Sequence, residues 1–306
     1  GADMKARSKS GMTAFLLAVR NNRFETVKFL LQHGADVNDA VPATGRDGKP
    51  TAAINIAAIN ADFDLMSLLL DSGANPNVAD PRGYPIHMVV WLHKPGAPPD
   101  FAMLGIDPQP VAQPSGRMTH VDILKKLLAK GADPNVPVLF EEGPFNPGGG
   151  LARNPLDLQI GRHYLTYTGA TPFYLAARNG DIEMMKILAD AGANPKATTK
   201  FGVTPLMAAA GLDYYEGETA GPYSGVPEAE RLAAVKFALE KGNDINARTH
   251  FGDYKMLGSP EDTLLRYPDN LGELIMLRVG DMRFDQMTAL HGAVISNQPS
   301  ILEYLI

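Results

Sequence analysis

Apolar residues along this chain come in short bursts at helical spacing, separated by glycine, asparagine and aspartate. The clearest stretch is TPFYLAARNGDIEMMKILADAGAN, from Thr171 to Asn194. Thr171 and Pro172 are expected to open a helix, since threonine accepts a backbone N–H as a cap and proline is tolerated at the first helical position. The apolar run that follows ends near Asn179 and Gly180. Asp181 then caps a second helix, in which Ile182, Met185, Ile187 and Leu188 recur at roughly helical spacing. Gly192 supplies the permissive backbone for leaving it. Two helices this short bury too little apolar surface alone, so the pattern predicts units that persist only by stacking on neighbours.

The same layout returns along the chain. Thr13 and Gly34 stand 21 positions apart, as Thr171 and Gly192 do, and Ala52 and Gly73 repeat the spacing although the opening Thr-Pro has become Ala52-Ala53. Six units follow from this register: 11–38, 52–77, 84–135, 169–195, 202–246 and an incomplete 286–306. The third and fifth carry insertions between their two helices, and further insertions follow Asn38, Asn135 and Asn246. GADMK at the start matches the closing GADVN of a unit, so both ends are expected to fall inside units. The expected architecture is one elongated domain rather than the two that length alone implies.

The carriers GATPFYLAA, GVTPLMAAA and MTALHGAV, with GADVN, GANPN, GADPN and GANPK, resemble the ankyrin repeat family at its 33-residue period. The resemblance implies an all-α fold: a solenoid of stacked helix-turn-helix units, here with long inserted loops. It also implies hairpin-like fingers at one edge and a concave face that binds other proteins. In the family's TPLH position, occupied here by His87 and His291, the imidazole is expected to hydrogen-bond backbone between units.

Composition narrows the function classes. A formal net charge of -6 with both signs interspersed leaves no positive stripe for a phosphate backbone, which argues against nucleic acid as a partner. No apolar run approaches membrane-spanning length, so no membrane insertion is expected in this segment. The chain has no cysteine, which excludes disulfides and thiolate chemistry. The seven histidines show neither the i, i+4 spacing of a zincin nor a carboxylate-rich calcium loop, and no metal or other cofactor is expected. There is no G-x-S-x-G elbow around Ser224, and Gly148 to Gly150 lack the Lys-Ser/Thr of a phosphate-binding loop. Catalytic residues are accordingly not expected.

Recognition remains, and the resemblance assigns it to finger tips and to the exposed ends of first helices. The candidates are Tyr167, Arg178 and Asn179 in the fourth unit, Lys200 and Phe201 in the fifth, Arg283 and Phe284 in the sixth, Arg20 in the first, and Trp91 after the third unit's inner helix. Tyr214, Tyr215 and Tyr223 in the fifth-unit insertion join them, because aromatic and arginine side chains bury much area at little entropic cost. The expected role is a non-catalytic scaffold whose partner is another protein of unknown identity. The alternatives are a docking or recruiting part of a larger enzyme complex, or a structural subunit of a homo- or hetero-assembly. Absence of cysteine and 24 prolines lean toward an extracytoplasmic setting in a bacterium, with the cytoplasm not excluded.

Overall fold

The computed structural model describes residues 1–43, 49–80, 83–94, 112–138, 168–212, 226–250 and 285–306. Twelve α-helices lie among them, in six pairs. They are α1 (Ala14–Arg20) with α2 (Phe24–Gln32), α3 (Ala53–Ile59) with α4 (Phe63–Asp71), and α5 (Pro85–His93) with α6 (His120–Ala129). Then follow α7 (Pro172–Arg178) with α8 (Ile182–Asp190), α9 (Pro205–Ala209) with α10 (Glu228–Glu240), and α11 (Ala289–Ile295) with α12 (Pro299–Leu305).

The starts of the first helices have a common chemical origin. Thr13, Thr171 and Thr204 each accept a backbone N–H from the third residue on, at 3.2, 3.3 and 3.1 Å. Such a cap stabilises a helix by about 1 kcal/mol, which matters in elements of five to seven residues. Ala52 provides no side-chain cap for α3. There a short antiparallel pair, β1 (Ala40–Val41) with β2 (Thr51–Ala52), leads the chain into the helix, and Ala53 N–H donates to the Asp39 carbonyl at 3.0 Å. Asp181 caps α8 through Met184 N–H at 3.2 Å, and Gly192 leaves the helix with φ +88°.

The chain divides into two compact bodies, residues 1–93 with 110–136 and residues 94–109 with 137–306. In the N-terminal body α3 packs against both α1 and α5, and α4 against α6. Phe15, Leu16, Val19, Ile54, Phe63, Leu65, Met66, Leu69, Ile86, Val89 and Ile123 form its buried interior. In the C-terminal body α9 packs against α7 and α11, and α10 against α8 and α12. Its interior includes Phe173, Tyr174, Leu175, Met184, Leu188, Leu206 and Val235. Within each body, first helices thus stack on first helices and second on second. That order is what a pair too small to persist alone requires.

Candidate protein-binding surface

A side-chain network fixes the edge from which any finger would project. Six closing turns share one geometry, in which an aspartate or asparagine accepts the backbone N–H two residues on. These are Asp3 to Lys5, Asp36 to Asn38, Asn75 to Asn77, Asp133 to Asn135, Asn194 to Lys196 and Asp244 to Asn246, all between 2.8 and 3.0 Å. In the N-terminal body the turns at Asn38 and Asn77 also reach the next. Asn38 Oδ1 accepts from Asn75 N–H at 2.8 Å, and Asn77 Oδ1 accepts from Asp133 N–H at 2.9 Å. Asn77 Nδ2 donates to the Gly131 carbonyl at 2.7 Å.

A second rung lies deeper. His87 is fully buried; its Nε2 donates to the Val136 carbonyl at 2.9 Å while Nδ1 accepts from Tyr84 N–H at 3.2 Å. Those two bonds define one neutral tautomer, and burial lowers the imidazole pKa from 6.5 to about 4. One repeat earlier the matching residue is Asn55, whose Nδ2 donates to the Val78 carbonyl at 3.2 Å. Asn55 does the donor half of the histidine's work, and its Oδ1 has no hydrogen-bond partner among the described residues. The sequence holds the cue, since Asn55 stands in the histidine's register, but an isolated asparagine in AAINIAA does not announce an inter-repeat bond.

In the C-terminal body consecutive fingers are joined backbone to backbone. Lys200 N–H donates to the Thr168 carbonyl at 2.7 Å, His250 N–H to Phe201 at 2.8 Å, and Gln286 N–H to Thr249 at 3.1 Å. The tip at Thr199 to Gly202 is a tight turn closed by Gly202 N–H on the Thr199 carbonyl at 2.9 Å. This places the Lys200 side chain outward and turns Phe201 inward, where it is 2% exposed.

Four expected contact residues therefore differ from expectation. Phe201 packs inside its finger, and Trp91 is 3% exposed within the apolar α5, whose residues from Pro85 to Leu92 are all buried. Arg178 is 3% exposed at the end of α7, with Nη1 donating to Asn179 Oδ1 at 3.4 Å, and Asn179 is completely buried. Side chains this deeply buried offer a partner almost nothing to touch. Arg20 and Lys200 are exposed, as a contact role requires. Tyr167, Arg283, Phe284, Tyr214, Tyr215 and Tyr223 lie outside the described residues.

Sequence reasoning did not anticipate where the third-repeat insertion returns. Residues 112–119 run as a strap across the turns of the two preceding repeats. Asp64 accepts from Arg117 N–H at 3.0 Å and Met118 N–H at 2.9 Å, and Ser115 N–H donates to the Ala61 carbonyl at 3.2 Å. Ser115 Oγ donates to Asp62 Oδ1 at 2.5 Å and accepts from Asn22 Nδ2 at 2.8 Å. Burial raises the Asp62 pKa, and the Ser115 hydroxyl partly offsets this. Gly116 sits so close that a Cβ there would collide with Asp64 Oδ2. At Thr119 the strap becomes the cap of α6, in a reciprocal pair with Asp122, whose pKa is lowered chiefly by the Thr119 backbone N–H.

Among the described residues no group of three or more histidine, aspartate or glutamate side chains is placed to hold a metal ion, and no helix is long and apolar enough to cross a membrane. Paired short helices stacked like on like, joined by Asx turns and finger-to-finger backbone bonds, define a helical repeat solenoid. The family model described as ankyrin repeats (3 copies) matches residues 1–88 and 151–218, and the chain belongs to the ankyrin repeat family. Ankyrin repeats generally mediate protein–protein interactions and are typically non-catalytic modules.

Proposed function

We propose that this chain is a non-catalytic scaffold that presents its fingers and first-helix ends to a partner protein. The observation that carries the reading is the bonded finger edge of the C-terminal body, where Lys200 N–H on Thr168 and His250 N–H on Phe201 join one finger to the next without any partner. A preorganised tip loses little conformational freedom on association, so its contacts contribute to affinity nearly in full. The proposed contacts are Lys200 and Arg20, together with Tyr167, Arg283, Phe284, Tyr214, Tyr215 and Tyr223.

Affinity capture with the intact chain, followed by mass spectrometry, tests the reading when repeated with Lys200→Glu and Arg20→Glu. Both side chains are exposed, so the melting temperature should stay within about a degree or two of the parent. The expected result is a partner protein retained by the parent and depleted with at least one charge-reversed variant. Retention undiminished by both variants, or turnover by the isolated chain, overturns it.

A further inference from the structure

Beyond the fingers, the N-terminal body carries a groove on its second-helix side, between α2 and α4. It has a volume of about 520 Å³ and is lined by Lys28, Leu31, Gln32, Ala35, Val37 and Leu68, with Asp36 and Ser72 at its margin. That volume lies within the range of sites that take a small ligand or a few side chains. Leu31, Ala35, Val37 and Leu68 are each partly exposed and give it an apolar floor.

The matching groove one repeat on is bridged by side chains. There Lys126 reaches across from α6 to Asp71 Oδ2 and Ser67 Oγ on α4, both at 2.6 Å, and Lys130 reaches Asp71 Oδ1 at 3.1 Å. Two closing lysines lower the Asp71 pKa through their hydrogen bonds. In the C-terminal body, Lys236 on α10 lies over the Tyr304 ring of α12, 4.9 Å from its centroid. Counting back from the closing glycines Gly34, Gly73 and Gly131, each member of the α4–α6 bridge has a counterpart in the open groove. Leu68 stands where Lys126 does, Ser72 where Lys130 does, Gln32 where Asp71 does, and Lys28 where Ser67 does. The exchange removes the crossing cations and their acceptor. It leaves a methyl-rich floor beside an exposed ammonium that has no acceptor among the described residues.

We propose that the α2–α4 groove is a second docking site, on the side away from the first helices, for a partner segment that presents aliphatic side chains next to a carboxylate. Aliphatic side chains displace water from Leu31, Val37 and Leu68, and the carboxylate meets Lys28. Asp36, which also lines the groove, opposes a second acid there, because its Oδ1 already accepts from Asn38 N–H at 2.9 Å and it has no ion-pair partner among the described residues. Acidic and aliphatic character together are what the lining selects.

The test uses the full chain and two fluorescein-labelled probes, acetyl-Glu-Leu-Leu-Gly-amide and acetyl-Lys-Leu-Leu-Gly-amide, followed by fluorescence anisotropy and by amide shifts in a ¹⁵N-labelled sample. The Glu probe should bind roughly fivefold tighter than the Lys probe, the ratio one exposed ion pair sustains. Its shifts should centre on Lys28, Leu31 and Leu68, and Lys28→Glu should invert the preference. The double variant Gln32→Asp with Leu68→Lys rebuilds the bridge of the next groove and should abolish Glu-probe binding with the circular dichroism melt preserved. If that pair fails to fold, Lys28→Glu, a change at an exposed position, still decides. Equal affinity for both probes, no Glu-probe binding at millimolar concentration, or binding unchanged by the closing pair overturns the proposal.

Discussion

Acid should loosen the N-terminal body through His87, and by an amount the structure sets. In the unfolded chain the imidazole titrates near 6.5, whereas in the fold burial holds its pKa at about 4. The folded state therefore takes up the proton less readily. The stability that depends on neutral His87 is complete above pH 6.5 and is lost as pH falls from there to about 4. The gap corresponds to about 3 kcal/mol, an order-of-magnitude figure for a buried group. The perturbation is His87→Asn, because Asn55 shows that an amide in this register makes the carbonyl bond without a titrating ring. Trp91, the single tryptophan, lies on the same helix and reports unfolding of that region in urea by its fluorescence. At pH 7.5 the variant should be less stable than the parent, having lost ring volume and the Tyr84 contact. As pH drops toward 4 the two should converge by about 3 kcal/mol, since every other titrating group is common to both. Parallel stability curves from pH 7.5 to 4 would refute the reasoning.

Other perturbations follow from particular contacts. Gly292→Ala places a methyl 2.5 Å from Leu212 N and 2.9 Å from its Cα, so α11 must move off the α9 turn; a loss of about 2 kcal/mol is expected in chemical denaturation. Thr13→Ala removes the cap on Leu16 N–H and the 2.7 Å bond from Thr13 Oγ1 to Asp39, which also pairs with Arg7. It should cost about 1 to 2 kcal/mol, whereas Thr13→Ser should restore most of that. Asp64→Ala leaves Arg117 and Met118 N–H without their acceptor and should raise amide exchange across residues 115–118 at least tenfold, with the α7–α8 amides unchanged; uniform protection would show that the strap is held by something else.

The helix pairs were legible because their signals are local. The Thr-to-Gly spacing, Asp181 as a cap and Gly192 as an exit depend on residues within one period, His87 is read from its place in the TPLH register, and the structure has each of them. Contact residues were less legible, because register tells which segment forms a tip but not which way a side chain leaves it. Lys200 and Phe201 are neighbours on one turn, yet one is exposed and the other 2% exposed, a difference made by the turn closing on Thr199 and by the next finger at His250. The pattern puts Trp91 just after the third unit's inner helix, whereas it lies within α5. Its burial follows from the uninterrupted apolar run around it, which has no polar face to turn outward. The strap was illegible for a different reason: nothing in QPSGRMT says that its amides belong to Asp64, a partner more than fifty positions away.

That strap has a consequence for the order in which the protein is made. Stacked repeats ordinarily mature one after another as the chain emerges, each leaning only on its predecessor. Here Asn22, in the turn between α1 and α2, finds its side-chain partner 93 positions downstream at Ser115. The helix pairs α1–α2 and α3–α4 precede the strap in the chain, so their turn edge stays bare until residues 112–118 have been translated. The early repeats thus wait for a later one, and a ribosome stalled before residue 115 would hold a nascent chain that is helical but unfastened.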